Sequence, residues 1–223
     1  MPKGLFSIFG GRHAAESTDS RGEAAASASE PAYPTKALAK FLKVLQAREN
    51  PALLDLGPVV GSNVTFFGEQ LGCRIRVEDI AVDIDRHVKE SKIDELAAFL
   101  AGRFKQDPET VDGILCWDVF DFLDRPSATA LAQALTRLLR PDGALFAFFS
   151  TPEGRAQVYT KFIVVDDHSL RHRTYPASRA RQKTLQNRDI IRMFDGLRVT
   201  ESFLMKNNVR EILLRKPAYL AGT

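Results

Sequence analysis

The sequence predicts an α/β fold of three layers, in which a mostly parallel, twisted sheet is covered by helices on both faces and closed by a C-terminal antiparallel hairpin. Three observations predict it. Short apolar runs at 52–56, 111–117 and 144–149 are separated by stretches of helical spacing, the alternation that gives parallel strands buried on both sides. The first run closes on the tight turn Gly57-Pro58. Two late runs, 197–204 and 209–214, meet at Asn207-Asn208, a hairpin signal.

Composition narrows the classes. The chain has 223 residues, long enough for one domain with a substantial core, and 44% of them are hydrophobic. With 31 basic against 28 acidic side chains, the net charge of +3 gives no bulk attraction to nucleic acid or membrane. Cys73 and Cys116 sit in apolar, strand-like runs, where cysteine acts as a small buried hydrophobe, so neither a disulfide framework nor a metal site is expected. No apolar stretch reaches the roughly 18 to 20 residues that cross a bilayer. The opening MPKGLFSIFGGRH is too short and too glycine-broken for a signal peptide, and a cytoplasmic location is expected.

Residues 10–34 are rich in Ala, Ser, Gly and Glu without apolar periodicity, so 1–34 is expected to be a disordered tail and 35–223 the domain. Leu5, Phe6, Ile8 and Phe9 are a candidate docking segment for a partner, against the plainer reading of a frayed terminus. From Thr35, apolar positions at Leu38, Phe41, Leu42 and Leu45 predict a helix that ends before Asn50-Pro51. A buried strand at 52–56 follows, then a helix over 63–71 stopped by Gly72. Residues 74–77 alternate as a second strand, 93–100 read as a helix, and 111–117 form the strongest strand. A helix over 128–139 leads through the turn 140–143 into the strand 144–149. The last helix, 187–194, is expected to be capped by Asn187 and stopped at Gly196, ahead of the closing hairpin.

In an open parallel sheet, ligands bind beyond the carboxyl ends of the strands, and the first strand-to-helix loop is the usual cradle. Here that loop is Gly57-Pro58-Val59-Val60-Gly61-Ser62-Asn63, whose glycines leave room for close approach to a ligand. Two glycines after an apolar strand also mark an ordinary turn. Glu78 and Asp79 lie about 20 residues on, at the end of the neighbouring strand, where a carboxylate can bind both hydroxyls of an adenosine ribose.

Five segments in order resemble the class I S-adenosylmethionine-dependent methyltransferases over 38–217: LLDLGPVVGSN, VEDI, VDGILCWDVFDFLDRP, LTRLLRPDGALFAFF and NRDIIRMFDGLRVTESFLMKNNVREILLRKP. The resemblance implies a Rossmann-like methyltransferase fold, S-adenosylmethionine as cofactor and a small-molecule acceptor. It places Asp55, Gly57 and Gly61 around the methionine end of the cofactor, with Pro58 and Asn63 also among the cofactor-binding residues. Glu78 or Asp79 would bind the ribose, and Trp117 and Asp118 would lie where cofactor meets acceptor. Val59 stands where the family has its middle glycine, a β-branched residue able to crowd a ligand, and no strand is legible between the second helix and the central strand.

Methyl transfer from a sulfonium needs alignment first and a base only where the acceptor loses a proton. Candidate bases are Asp118 and Asp121 at the central strand end, with His172 and Tyr175 beyond the fifth strand; Tyr159 and His168 lie on the same later segment. From 171 to 183 the chain carries Arg171, Arg173, Arg179, Arg181 and Lys183 without an acid, a candidate surface for an anionic acceptor or for nucleic acid, or simply a solvated basic face. Two further readings stand beside the enzyme. One is a catalytically inactive methyltransferase-fold binding or regulatory protein, distinguished by side chains filling the cradle. The other is a nucleotide-dependent oxidoreductase, disfavoured by the terminal hairpin.

Overall fold

The computed structural model describes residues 31–150, 157–182, 185–205 and 208–219. The expected tail up to residue 30, its candidate docking segment, Lys183 and Asn207 lie outside them. Among the described residues nine strands form two sheets: β1 (Ala32–Pro34), β2 (Ala52–Asp55), β3 (Arg74–Val77), β4 (Val111–Trp117), β5 (Leu139–Ser150), β6 (Val158–Val164), β7 (Ser169–Pro176), β8 (Arg198–Leu204) and β9 (Val209–Arg215). The larger sheet has the order β3-β2-β4-β5-β9-β8, with β3, β2, β4 and β5 parallel and the last two antiparallel. This is the mostly parallel sheet with a closing antiparallel hairpin that the sequence predicts, the arrangement of a methyltransferase fold. Among the described residues no strand lies beyond β3, in keeping with the polar stretch before β4.

Side-chain alternation along the strands feeds two cores. Leu53, Leu115 and Phe146 face α1 (Leu38–Gln46), while Leu54, Ile114 and Leu145 face the opposite helical layer. That layer contains α3 (Ile80–Lys89), α4 (Leu96–Ala101), α5 (Arg125–Leu138) and α6 (Asn187–Met193). The remaining helix, α2 (Gly61–Val64), continues as a π-helical stretch, Thr65–Gln70, and ends at Gly72 with φ +65°. Gly113 lets α1 lie directly on β4, since a Cβ there would come within 2.6 Å of Leu45 Cδ2 and 3.0 Å of Phe41 Cζ. The helix is capped from β9: the fully buried Glu211 carboxylate accepts the N–H groups of Lys36 and Ala37, each at 2.9 Å, and the Thr35 hydroxyl.

Four local expectations change. Strand β1 lies ahead of Thr35, in residues that carried no strand assignment; it pairs with β7, and Tyr33 stacks on His172 at 4.7 Å. Helix α3 occupies residues that carried no assignment; Asp79 starts it by accepting the Ala81 N–H at 3.0 Å. Asn187 lies inside α6 and does not cap it; Gln186 holds the cap position. The first half of the stretch read as a basic loop, up to Pro176, is strand β7, which pairs with β6 and β1 in the second, three-stranded sheet.

Candidate functional site

At the end of β4 the pairing with β5 shifts register between Leu115 and Trp117, and Trp117 takes φ +49°. A left-handed non-glycine residue costs on the order of 1–3 kcal/mol. The geometry turns the indole back across the end of β2, where its Nε1–H donates to Asp55 Oδ1 at 2.6 Å. The same oxygen accepts the Gly57 N–H at 2.9 Å. A Cβ on Gly57 would stand 2.8 Å from Trp117 Cδ1, so the close approach that this glycine permits is taken by the indole. Burial pushes the Asp55 carboxyl up to about 6, against the opposing pull of the Gly57 and Trp117 hydrogen bonds.

Above the indole lies β6. Phe162 stacks face to face on Trp117, with centroids 5.1 Å apart and planes at 5°. The strand is held there by Asn63, whose Nδ2–H donates to Phe162 O and whose Oδ1 accepts the Val164 N–H, both at 2.8 Å. Tyr159 donates its hydroxyl to Asp85 at 2.8 Å and packs its ring on Phe122, with Tyr175 beside it. Between Gly57, Asp79, Trp117, Asp118, Tyr159 and Tyr175 a cavity of about 20 Å³ remains. That admits about one water molecule.

The other residues expected to hold the cofactor have partners of their own. Glu78 bonds Arg103 at 2.7 Å and also Arg76; partial burial raises its carboxyl, yet the two arginines bring it below the ordinary range. Asp79 borders the small cavity, but its side chain caps α3, and burial holds its carboxyl above the usual value. Pro58 lines the same cavity. Gly61 is exposed, and a β-carbon added to it would meet nothing within 4 Å, so no close approach depends on it. Val59 points outward, 68% exposed, and does not crowd the cradle as its β-branch suggested. The space is filled by Trp117 and the hairpin instead.

Of the candidate bases, Asp118 and Asp121 converge on one guanidinium. Arg181 donates to Asp118 Oδ2 at 2.7 Å, to Ser150 Oγ at 2.7 Å and to Asp121. Burial raises both carboxyls, Asp118 to about 6, while Arg181 opposes the rise. Arg179 is likewise engaged, by Asp124 and the Phe122 carbonyl at 3.2 Å each. These two arginines therefore form internal ion pairs and not the free basic surface expected; Arg171 and Arg173 lie half-buried on β7. Tyr175 faces the small cavity, and burial raises its phenol far above the ordinary range. His168 sits at the exposed tip of the hairpin.

A much larger chamber opens beside this closed cradle, between β6–β7, the end of β5 and the β8–β9 hairpin. It measures about 630 Å³, within the roughly 300–1,000 Å³ of small-molecule sites. Phe148, Phe162, Leu170, Leu204, Met205 and Val209 supply apolar wall; Tyr33, Lys36, Ser150, Thr160 and His172 add polar groups, and Asp118 and Arg181 also border it. His172 is held below its ordinary pKa by burial, so its imidazole is neutral at neutral pH. The chamber residues on β1 and β6 were not anticipated. Alternation in VYTKFIV and SLRHRTYP was the available signal, masked by the charges interleaved with it.

S-adenosylmethionine, a nucleoside joined to an amino acid, needs a site of several hundred Å³. Among the described residues the cradle offers about 20 Å³, and Asp55 Oδ1, the Asn63 amide and both Glu78 oxygens already bond protein groups. As folded, these residues do not fit it. Among the described residues, no helix is long and apolar enough to cross a membrane.

No protein-family model matches the chain, and no curated protein matches it. Solved structures of similar shape include the PH0226 protein of Pyrococcus horikoshii, at 15% identity and TM-score 0.47, covering 79% of this chain and 88% of that one. The 1,6-didemethyltoxoflavin-N1-methyltransferase of Burkholderia thailandensis, solved with 1,6-didemethyltoxoflavin and S-adenosylhomocysteine, matches at 14% identity and TM-score 0.47, covering 88% and 83%. The CcbJ methyltransferase of Streptomyces caelestis matches at 15% identity and TM-score 0.49, covering 80% and 93%. At these values the likeness does not extend to ligand or reaction.

Proposed function

We propose that this chain is a ligand-binding protein on a class I methyltransferase-like fold, in which the cofactor cradle serves as internal packing and the neighbouring chamber binds a small molecule. One contrast supports the reading: about 20 Å³ remain where the cofactor would lie, against about 630 Å³ beside it. Trp117, Phe162 and Tyr159 occupy the cradle, and Asp55, Asn63 and Glu78 each bond partners within the protein. Two buried free thiols, Cys73 and Cys116, are in keeping with a cytoplasmic location.

A second reading, S-adenosylmethionine-dependent methyl transfer, is favoured by Asp79 and Asp118 bordering the cleft at the strand ends. It requires Trp117 and β6 to move aside, and its acceptor would then occupy the chamber near Asp118 and His172. Calorimetric titration with S-adenosylmethionine and S-adenosylhomocysteine separates the two. No saturable heat at millimolar ligand, in protein shown to be folded, is the outcome expected of the binding protein; saturation in the micromolar range would overturn the closed cradle and favour the second reading.

A further inference from the structure

Resting on the chamber reading, the geometry points to a flat aromatic monocarboxylate as the ligand, its ring system between the chamber's aromatic walls and its carboxylate at Lys36. Four rings border the space, from Tyr33, Phe148, Phe162 and His172. They already stack with one another: Phe148 on Phe162 at 5.0 Å and 18°, Tyr33 on His172 at 4.7 Å and 23°, with His172 edge-on to Phe162 at 4.9 Å. A ligand ring entering among them extends an existing array, and such aromatic pairs are favourable beyond simple burial.

The charges decide the rest. Arg181 is met by two carboxylates, Asp118 and Asp121, so it offers no free cation to a ligand. His172 is neutral. Lys36 borders the same chamber and has no carboxylate within ion-pair distance among the described residues; its ammonium lies 5.4 Å from the centre of the Phe203 ring. An anion placed there meets the one cation that the described residues leave unneutralised at the chamber, while the apolar body stays clear of Asp118. An organic cation would have to approach the two carboxylates already shared by one guanidinium, with Lys36 opposing its entry.

Three probes that share one ring system test this by calorimetry on the intact chain at low ionic strength: 1-naphthoate, 1-naphthylmethanol and 1-naphthylmethylamine. The carboxylate is expected to bind about threefold to tenfold more tightly than the alcohol, the amine most weakly, with the preference shrinking in molar salt. Lys36→Met should bring naphthoate down to the level of the alcohol, and Lys36→Glu should reverse the order; the position is exposed, and circular dichroism checks folding. Equal binding of carboxylate and alcohol, tighter binding of the amine, or an unchanged preference in Lys36→Met would overturn the assignment of ligand class while leaving the chamber reading intact. Failure of all three probes, the neutral alcohol included, would overturn the chamber reading itself.

Discussion

The indole Nε1–H of Trp117 donates to Asp55 Oδ1 across 2.6 Å, joining the end of the central strand to the carboxylate that opens the glycine loop. The bond turns the most cofactor-like segment of the sequence into part of the core. Asp55 and Trp117 are each only 4% exposed, so both the acid and the indole depend on the pairing. Trp117→Phe should keep most of the ring packing while leaving the buried carboxylate one donor short, a loss of about 1–3 kcal/mol in urea unfolding at neutral pH.

Gly57→Ala tests what that glycine is for. Its new methyl would press on Trp117 Cδ1 at 2.8 Å and on Nε1 at 3.0 Å, in a loop already closed by Asp55. The expected cost is about 1–3 kcal/mol, accompanied by a changed near-ultraviolet circular dichroism signal from the single tryptophan. An unchanged signal and stability would show that the indole does not lie against Gly57.

Stability should also depend on pH in an unusual direction. The Asp55 carboxyl titrates near 6 in the folded chain, above its unfolded value, so the native state holds the proton more tightly. Its contribution is full below about pH 4 and is lost as pH rises through 6. Asp118, also raised to about 6 by burial, acts in the same sense, whereas His172, lowered by burial, acts in the opposite one. The Asp55 part is isolated by comparison with Asp55→Asn, whose amide oxygen can still accept from Gly57 and Trp117. The substitution should stabilise the chain at pH 7.5 by on the order of 1–3 kcal/mol relative to its effect at pH 4, measured by urea unfolding.

Asn63→Ala should release the cover. Removing the amide leaves the Phe162 carbonyl and the Val164 N–H without their partner. Hydrogen exchange is expected to quicken across 158–176, with easier acrylamide quenching of Trp117, while α5 on the far face keeps its protection. Uniform loss of protection through both regions would mean that the hairpin does not open separately from the rest.

Much of the fold was legible because periodicity follows burial. β4 is buried along its whole length and reads as an unbroken apolar run; α1 packs Leu38, Phe41, Leu42 and Leu45 at helical spacing. The closing hairpin announced itself through its strands in the same way. β6 and β7 were missed because they alternate core-facing Phe162 and Leu170 with Lys161, Arg171 and Arg173, and so many charges look like a loop. Helix α3 was missed because IAVDIDRHVK interrupts its buried apolar stripe with Asp83 and His87, although Asp79 caps it as helix-starting acids do. The site was harder still. Sequence singled out Asp55, Gly57, Asn63 and Glu78, but their partners Trp117, Phe162 and Arg103 come from distant segments, and no local pattern records such pairings.

Whether Trp117 fills the cradle can be read directly, because it is the chain's single tryptophan. Its fluorescence should be blue-shifted, poorly quenched by acrylamide, and unaltered by millimolar S-adenosylhomocysteine. A saturable change in that emission at micromolar S-adenosylhomocysteine would contradict the account, because the cofactor would then be entering the space that the indole is held to occupy.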